Sequence, residues 1–258
     1  FIPQLTLRHG DDATSRFSLG AGWREFTFDI GENFLDINGW SFTPKYEYQR
    51  ELSEQATFYF GSDNRIELDK ARVRLNHAFE AGGVFNPFSS GQEVLVDSLD
   101  RTYEFGVYSR LDYKLFNDRF TVAPGIRYTY ISASKDSFVD PRVGLSYLAS
   151  ETTTLRASGG RYHPSPGGRE TNPDAGNINL LTPSAWHAMV AVDQDFRGGK
   201  SNGLTGSLSG FYRDFDNLVV SSDAVITDEN GNSRPEYFNN DQEGHAVGAE
   251  LSLNYQAN

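Results

Sequence analysis

Residues 102–115 read TYEFGVYSRLDYKL. The odd positions are Tyr103, Phe105, Val107, Ser109, Leu111, Tyr113 and Leu115; the even ones are Thr102, Glu104, Gly106, Tyr108, Arg110, Asp112 and Lys114. A strand turns alternate side chains to opposite faces, so one face is almost wholly apolar and the other carries four charges. The fourteen residues exceed the usual strand of about 5–6 and the roughly 9–11 tilted residues that cross a bilayer core. Lipid on one side and water on the other demands this arrangement.

The alternation recurs. Phe120, Val122, Pro124, Ile126, Tyr128 and Tyr130 oppose Arg119, Thr121, Ala123, Gly125, Arg127 and Thr129. Val139, Pro141, Val143, Leu145 and Tyr147 oppose Asp140, Arg142, Gly144 and Ser146, and 245–256 repeats the scheme with Glu250 on the polar side. The expected fold is all-β: a transmembrane antiparallel β-barrel, or an arc of about eleven or twelve strands from a larger one. Its lumen row is Glu104, Arg110, Asp112, Arg127, Arg142, Arg156 and Glu250. Such a row pairs internally, because unpaired buried charge is costly, or hydrogen-bonds to a plug, lines a solute path, or sets ion selectivity in a plugless channel.

Compact turns are expected at 52–54, 117–118, 150–152 and 198–202, and longer connections at 80–101, 132–138, 161–183 and 221–243. Short turns face the periplasm and long loops the exterior. Before residue 80, strands are expected near 3–9, 14–22, 24–30, 38–50 and 55–79.

Composition agrees. Apolar residues are 38% of the 258, and aromatics, 14%, gather near strand ends as interfacial girdles do. A spanning strand needs apolar side chains only at alternate positions, so the low mean hydropathy of −0.53 is compatible with a membrane. A net charge of −12 with no basic stripe excludes a nucleic-acid partner, and the absence of cysteine excludes disulfides and thiolate chemistry. The whole chain reads as one barrel segment, 1–258, with no plug domain visible. It is expected to be an internal piece of a longer protein, because Phe1 already lies within an apparent strand.

No catalytic grouping and no metal site is expected. Ser158, His163, Ser165 and Asp174 sit among glycines that read as a flexible loop rather than a nucleophile elbow. His9, His77, His163, His187 and His245 are not spaced as a metal pair. The candidate ligand contacts are Arg161, Tyr162, His163, Arg169 and Asn172 in the 161–183 loop, with Phe85 and Phe88 in the 80–101 loop.

From 117 onward, five segments follow in order: NDRFTVAPGIRYTYI, DPRVGLSYLASETTTLRASGGRYHPSP, LTPSAWHAMVAVDQDF, LSGFYRDFDNLVV and YFNNDQEGHAVGAELSLNY. This succession resembles the mid-to-late barrel of TonB-dependent outer-membrane receptors, with matching strings at 125–128, 141–147, 156–164, 181–184, 211–218 and 237–251. The resemblance implies a 22-stranded barrel in a Gram-negative outer membrane, surrounded by lipid and closed by a plug. It implies uptake of a scarce small solute, most commonly an iron chelate, with carbohydrate, peptide and cobalamin open. Energy would come from a TonB-type partner, and no cofactor is implied. A structural barrel within an assembly of other envelope proteins, or a passive channel, is the competing expectation.

Overall fold

A computed structural model of the protein describes residues 2–30, 33–75, 94–166, 170–171, 176–199, 201–227, 231 and 233–257. The described residues form one antiparallel sheet whose strands lie in sequence order. They are β1 (Gln4–His9), β2 (Ala13–Ile30), β3 (Asn33–Glu51), β4 (Ala56–Leu75), β5 (Val94–Leu115) and β6 (Phe120–Ile131). Then come β7 (Asp136–Ser150), β8 (Thr153–Tyr162), β9 (Ser184–Asp195), β10 (Gly203–Thr227) and β11 (Ser233–Gln256). Among the described residues β1 and β11 do not pair, so the sheet is an open arc.

Four connections differ from the sequence expectation. The expected break near 23 is absent: β2 runs unbroken from Ala13, in register with β3. The expected loop at 132–138 is a tight turn between Ile131 and Asp136, with Lys135 in the left-handed region (φ 59°). Most of 221–243 is strand: β10 and β11 continue as a hairpin through bulges near Leu218 and Val225. Strand β5 begins at Val94, well inside the expected 80–101 loop. In the last two cases polar strand extending beyond the membrane reads locally as loop, because water on both faces removes the dyad signal.

One face of the arc is lipid-compatible. Ile126, Val143, Leu155, Val190, Leu208 and Leu251 are exposed on it and make an apolar band. Trp23, Trp40, Tyr103 and Trp186 border the band at one end, and Phe116, Tyr147, Phe196 and Tyr255 at the other. Two aromatic girdles around an apolar belt define the membrane position. The other face is concave: Arg16, Glu47, Asp63, Arg127, Arg142 and Tyr162, from β3-flanking strands across to β8, line one hollow of about 700 Å³.

Beyond the outer girdle, residues 176–183 pack against the outer ends of neighbouring strands. Thr182 Oγ1 donates within 2.8 Å of Asp136 Oδ2, and Asn177 Nδ2 donates to the Phe238 carbonyl at 2.8 Å. Asn240 Nδ2 reaches both Leu181 O (3.0 Å) and Asn217 O (2.8 Å). Ile131, Leu180, Ala185 and Phe238 are buried in the same region. Three outer hairpins are thereby tied together.

Candidate functional site on the inner wall

Alternation places the whole lumen row on the concave face, and cross-strand register fixes its partners. Arg127 lies on β6 opposite Tyr108 and Asp140. Its guanidinium reaches across β5 to Asp63 on β4, with Nη1 donating to Oδ2 at 3.0 Å and Nη2 donating to Oδ1. Its Nε donates to Thr129 Oγ1 at 3.0 Å. This bridge skips one strand because Gly106 stands beneath it. A Cβ there would lie 2.6 Å from Asp63 Oδ1 and 2.7 Å from Arg127 Cζ. Gly39 serves Arg24 and Asp69 in the same way, since a Cβ at 39 would strike the Leu68 carbonyl at 2.6 Å.

The other charges are held along the strand or across one register step. Arg110 Nη2 donates to Asp112 Oδ2 at 3.1 Å, and its guanidinium sits 4.3 Å from the Tyr59 ring centroid. Arg156 Nη2 donates to Asp193 Oδ1 at 2.7 Å. Glu104 stands between Arg65 and Ile131 in register, and Glu250 faces Ser209. Arg142 differs: it lies against the Tyr162 ring at 4.2 Å, and Tyr162 in turn stacks on His187 at 4.4 Å.

The five candidates at 161–172 do not form one loop cluster. Strand β8 runs through Tyr162, so Arg161 and Tyr162 point to opposite faces. Arg161 pairs in register with Trp186 and donates to Ser184 Oγ at 3.4 Å, on the lipid side of the outer rim. Tyr162 joins the concave face. His163 is buried: its ring stacks on Phe138 at 3.8 Å, and Nδ1 lies 2.7 Å from Asp140 Oδ1. The flexible-loop reading of this histidine is corrected, since it closes a packed, hydrogen-bonded corner. Arg169, Asn172, Asp174, Phe85 and Phe88 lie outside the described residues. Among the described residues no three His, Asp or Glu side chains gather as a metal site.

Sequence reading missed Tyr59, Asp63, His187, Asp193 and Arg213 as members of this wall. Extending the 103–115 parity through the β4 and β9 registers assigns each of them to the concave face.

A family model described as TonB dependent receptor-like, beta-barrel matches residues 3–258. The chain belongs to that family. The arc is thus part of the wall of an outer-membrane β-barrel of that family. Searched against curated protein sequences, the chain has no significant match. Among solved structures, the arc is similar to the siderophore receptor PirA from Pseudomonas aeruginosa. The TM-score is 0.59 at 13% identity, over 93% of this chain and 47% of that one. It is similar to the FrpB iron transporter (F5-1 variant, apoprotein) from Neisseria meningitidis, with a TM-score of 0.57 at 16% identity over 100% and 49%. The outer membrane transporter YddB from Escherichia coli follows with 0.55 at 15% identity over 98% and 44%. The chain therefore spans about half the length of these receptors.

Proposed function

We propose that the chain is part of the wall of a TonB-dependent transporter that takes up a scarce solute across the outer membrane. An iron chelate is the first substrate class to test. The observation that carries this reading is the family match over 3–258. The charged inner wall supports it: a bilayer tolerates such a row only where it lines a cavity or meets a plug. A siderophore receptor and an iron transporter among the structural neighbours favour the iron-chelate class.

The wall itself performs no chemistry on the solute in this reading. Energy would come from a TonB-type protein acting through a plug. The test is a gene deletion assayed for growth on a panel of ferric chelates under iron limitation, with uptake of radiolabelled iron as the direct measure. Loss of uptake of at least one chelate, restored by complementation, is the expected result. Unchanged growth on every chelate, with stable co-elution in a multi-protein envelope complex, would replace uptake by a scaffold role.

A further inference from the structure

Beyond the membrane the β10–β11 hairpin is interrupted on both strands at one height. Its ladder runs unbroken from Gly203 opposite Gln256 to Phe215 opposite Gly244, and resumes only at Leu218 with Gln242 and Val220 with Asn239. Asn217 on β10 and Asn240 on β11 are both left out of it. Asn217 lies in the left-handed region (φ 54°), as does Tyr237 (φ 61°) just past the break. A bulge disrupts the ladder and bends its strand, and here two bulges face each other. Support from the wall ends at the same height. Strand β9 begins at Ser184, opposite Asp216, so among the described residues β10 pairs only with β11 beyond that point. Residues 218–227 and 233–242 therefore form an arm joined to the wall at a weak place.

One side-chain amide spans that place. Asn240 Nδ2 donates to the Asn217 carbonyl at 2.8 Å, from bulge to bulge, and to the Leu181 carbonyl at 3.0 Å. Its Oδ1 accepts from the Leu181 N–H at 2.7 Å. Both hydrogens of the amide are thus used, and it meets the Leu181 peptide as a neighbouring strand would. Past the bulges, Asn177 Nδ2 donates to the carbonyl of Phe238, which stands in the arm opposite Ser221. Asn177 Oδ1 accepts from the Asn179 N–H at 2.9 Å. On the wall side, Thr182 Oγ1 lies 2.7 Å from Ser134 Oγ and 2.8 Å from Asp136 Oδ2, both at the β6–β7 turn. Asn177, Leu180, Thr182 and Phe238 are all buried. The segment 177–182 therefore grips the arm past the joint, the joint itself and the wall beside it.

We propose that the double bulge is a hinge and that residues 177–182 are a splint across it. While the splint is docked the arm keeps its present position; when it lifts, the arm swings as one body. The grip consists mainly of hydrogen bonds to amides and carbonyls, which water can replace at small net cost, and its apolar part is little more than Leu180 and Phe238. Such a joint opens far below the cost of unfolding the wall. Because Thr182 is held at Ser134 and Asp136, displacement of the β6–β7 turn is passed through the splint to the arm, a hinge controlled from a neighbouring element. The device depends on the folded wall alone and stands apart from the uptake reading.

The experiment measures distances between spin labels by pulsed electron paramagnetic resonance in the whole protein, purified folded from outer membranes. Val225→Cys on the arm and Val139→Cys on the wall, both exposed positions, carry the labels on a background otherwise free of cysteine. One narrow distance distribution is expected for this parent. Asn240→Leu and Asn177→Ala should each add a second distance and raise its population at least tenfold. Thr182→Val leaves every bond within the hairpin in place and cuts only the tie to the β6–β7 turn, and it should do the same. Amide hydrogen exchange across 220–222 and 237–239 should change less than threefold in all three, because a hinged arm keeps its own ladder. Arg50→Gln, at the periplasmic turn beside Asp12, should leave the distribution unchanged. If Asn240→Leu fails to reach the folded, heat-modifiable form, the other two variants decide. A single unchanged distance in the folded variants overturns the proposal, as does a broad distribution in the parent. Faster exchange across the arm without a second distance would show a melting strand and overturn it as well. No arm of this test uses a solute, so loss of the uptake reading would leave its result untouched.

Discussion

Below Trp23 and Trp40 the arc is apolar outside and polar inside; above them, β2, β3 and β4 carry the opposite arrangement. In the lower part Phe17, Leu19 and Trp23 share the outer face of β2, while Arg16 and Arg24 share the inner one. In the upper part the outer face carries Glu25, Thr27 and Asp29 on β2, Asp36 and Asn38 on β3, and Lys70 and Arg72 on β4. The inner face there carries Phe26, Phe28, Leu35, Ile37 and Ala71. Arg72 Nη2 lies 2.8 Å from Asp36 Oδ2 and holds that carboxyl below the ordinary carboxylate range. The backbone register is continuous through the change, with no bulge between β2 and β3. Parity is therefore a property of the strand, whereas polarity reports the solvent that each face meets.

The largest test of this contrast is a charge placed on the same face at two heights. Ile126→Arg, in the apolar belt, should cost about 2–4 kcal/mol and impair insertion. Thr27→Arg, outward but above the girdle, should leave insertion unchanged within about 0.5 kcal/mol. Heat-modifiable gel mobility and urea titration of the refolded protein measure both. Equal penalties would mean that the girdle has been set at the wrong height.

A somewhat smaller effect is expected on the inner face at the boundary. Gly39→Ala drives a methyl into the Leu68 carbonyl and the Asp69 carboxylate beneath the Arg24 bridge, and should cost about 1–3 kcal/mol as overpacking does. Gly22→Ala, on the same face with nothing within 4 Å of the new Cβ, should be neutral or stabilising by up to about 1 kcal/mol. Urea midpoints separate the two. Inner apolar residues above the girdle should matter less still: Phe26, 57% exposed, should change stability by only about 0.5 kcal/mol on replacement by Ser.

The smallest effect lies at the opposite, periplasmic rim, where both faces meet water. Asp195 accepts from the Arg197 side chain (Nε 3.0 Å) and backbone N–H (2.8 Å). These bonds lower its pKa from 3.8 to about 2. A carboxyl whose pKa falls on folding contributes stability above its unfolded value and loses it as pH drops through the folded one. The urea midpoint of the native protein should therefore exceed that of Asp195→Asn above about pH 4. The difference should narrow as pH falls from about 4 through about 2 and close below that. A difference that does not narrow over this range would assign the effect to packing and not to the carboxylate.

Much of this was legible in the chain. The 102–115 alternation alone separates lipid face from lumen face, and its parity, carried through three further strands, recovers the row of arginines. What escaped was whatever depends on a third strand. Asp63 cannot be matched to Arg127 from sequence, because the two lie 64 residues apart on strands that are not neighbours. The split assigned to β2 had a physical cause as well. Apolar residues shift from odd positions (17, 19, 23) to even ones (26, 28), which reads as a break when it marks an unbroken strand leaving the membrane. His163 reads as loop because glycine and proline signal local freedom, whereas Phe138 and Asp140 on β7 hold its ring.

The bridge from Arg127 to Asp63 over Gly106 also bears on assembly. A one-residue slip of β5 would turn its side chains to the wrong face, which lipid forbids. A two-residue slip keeps the faces correct and is the error that alternation cannot detect. It would place Glu104 or Tyr108 under the bridge instead of Gly106, and neither leaves room for the guanidinium to cross. The glycine thus acts as a key cut for one register, and the latch between β4 and β6 can close only after β5 has been laid between them in that register.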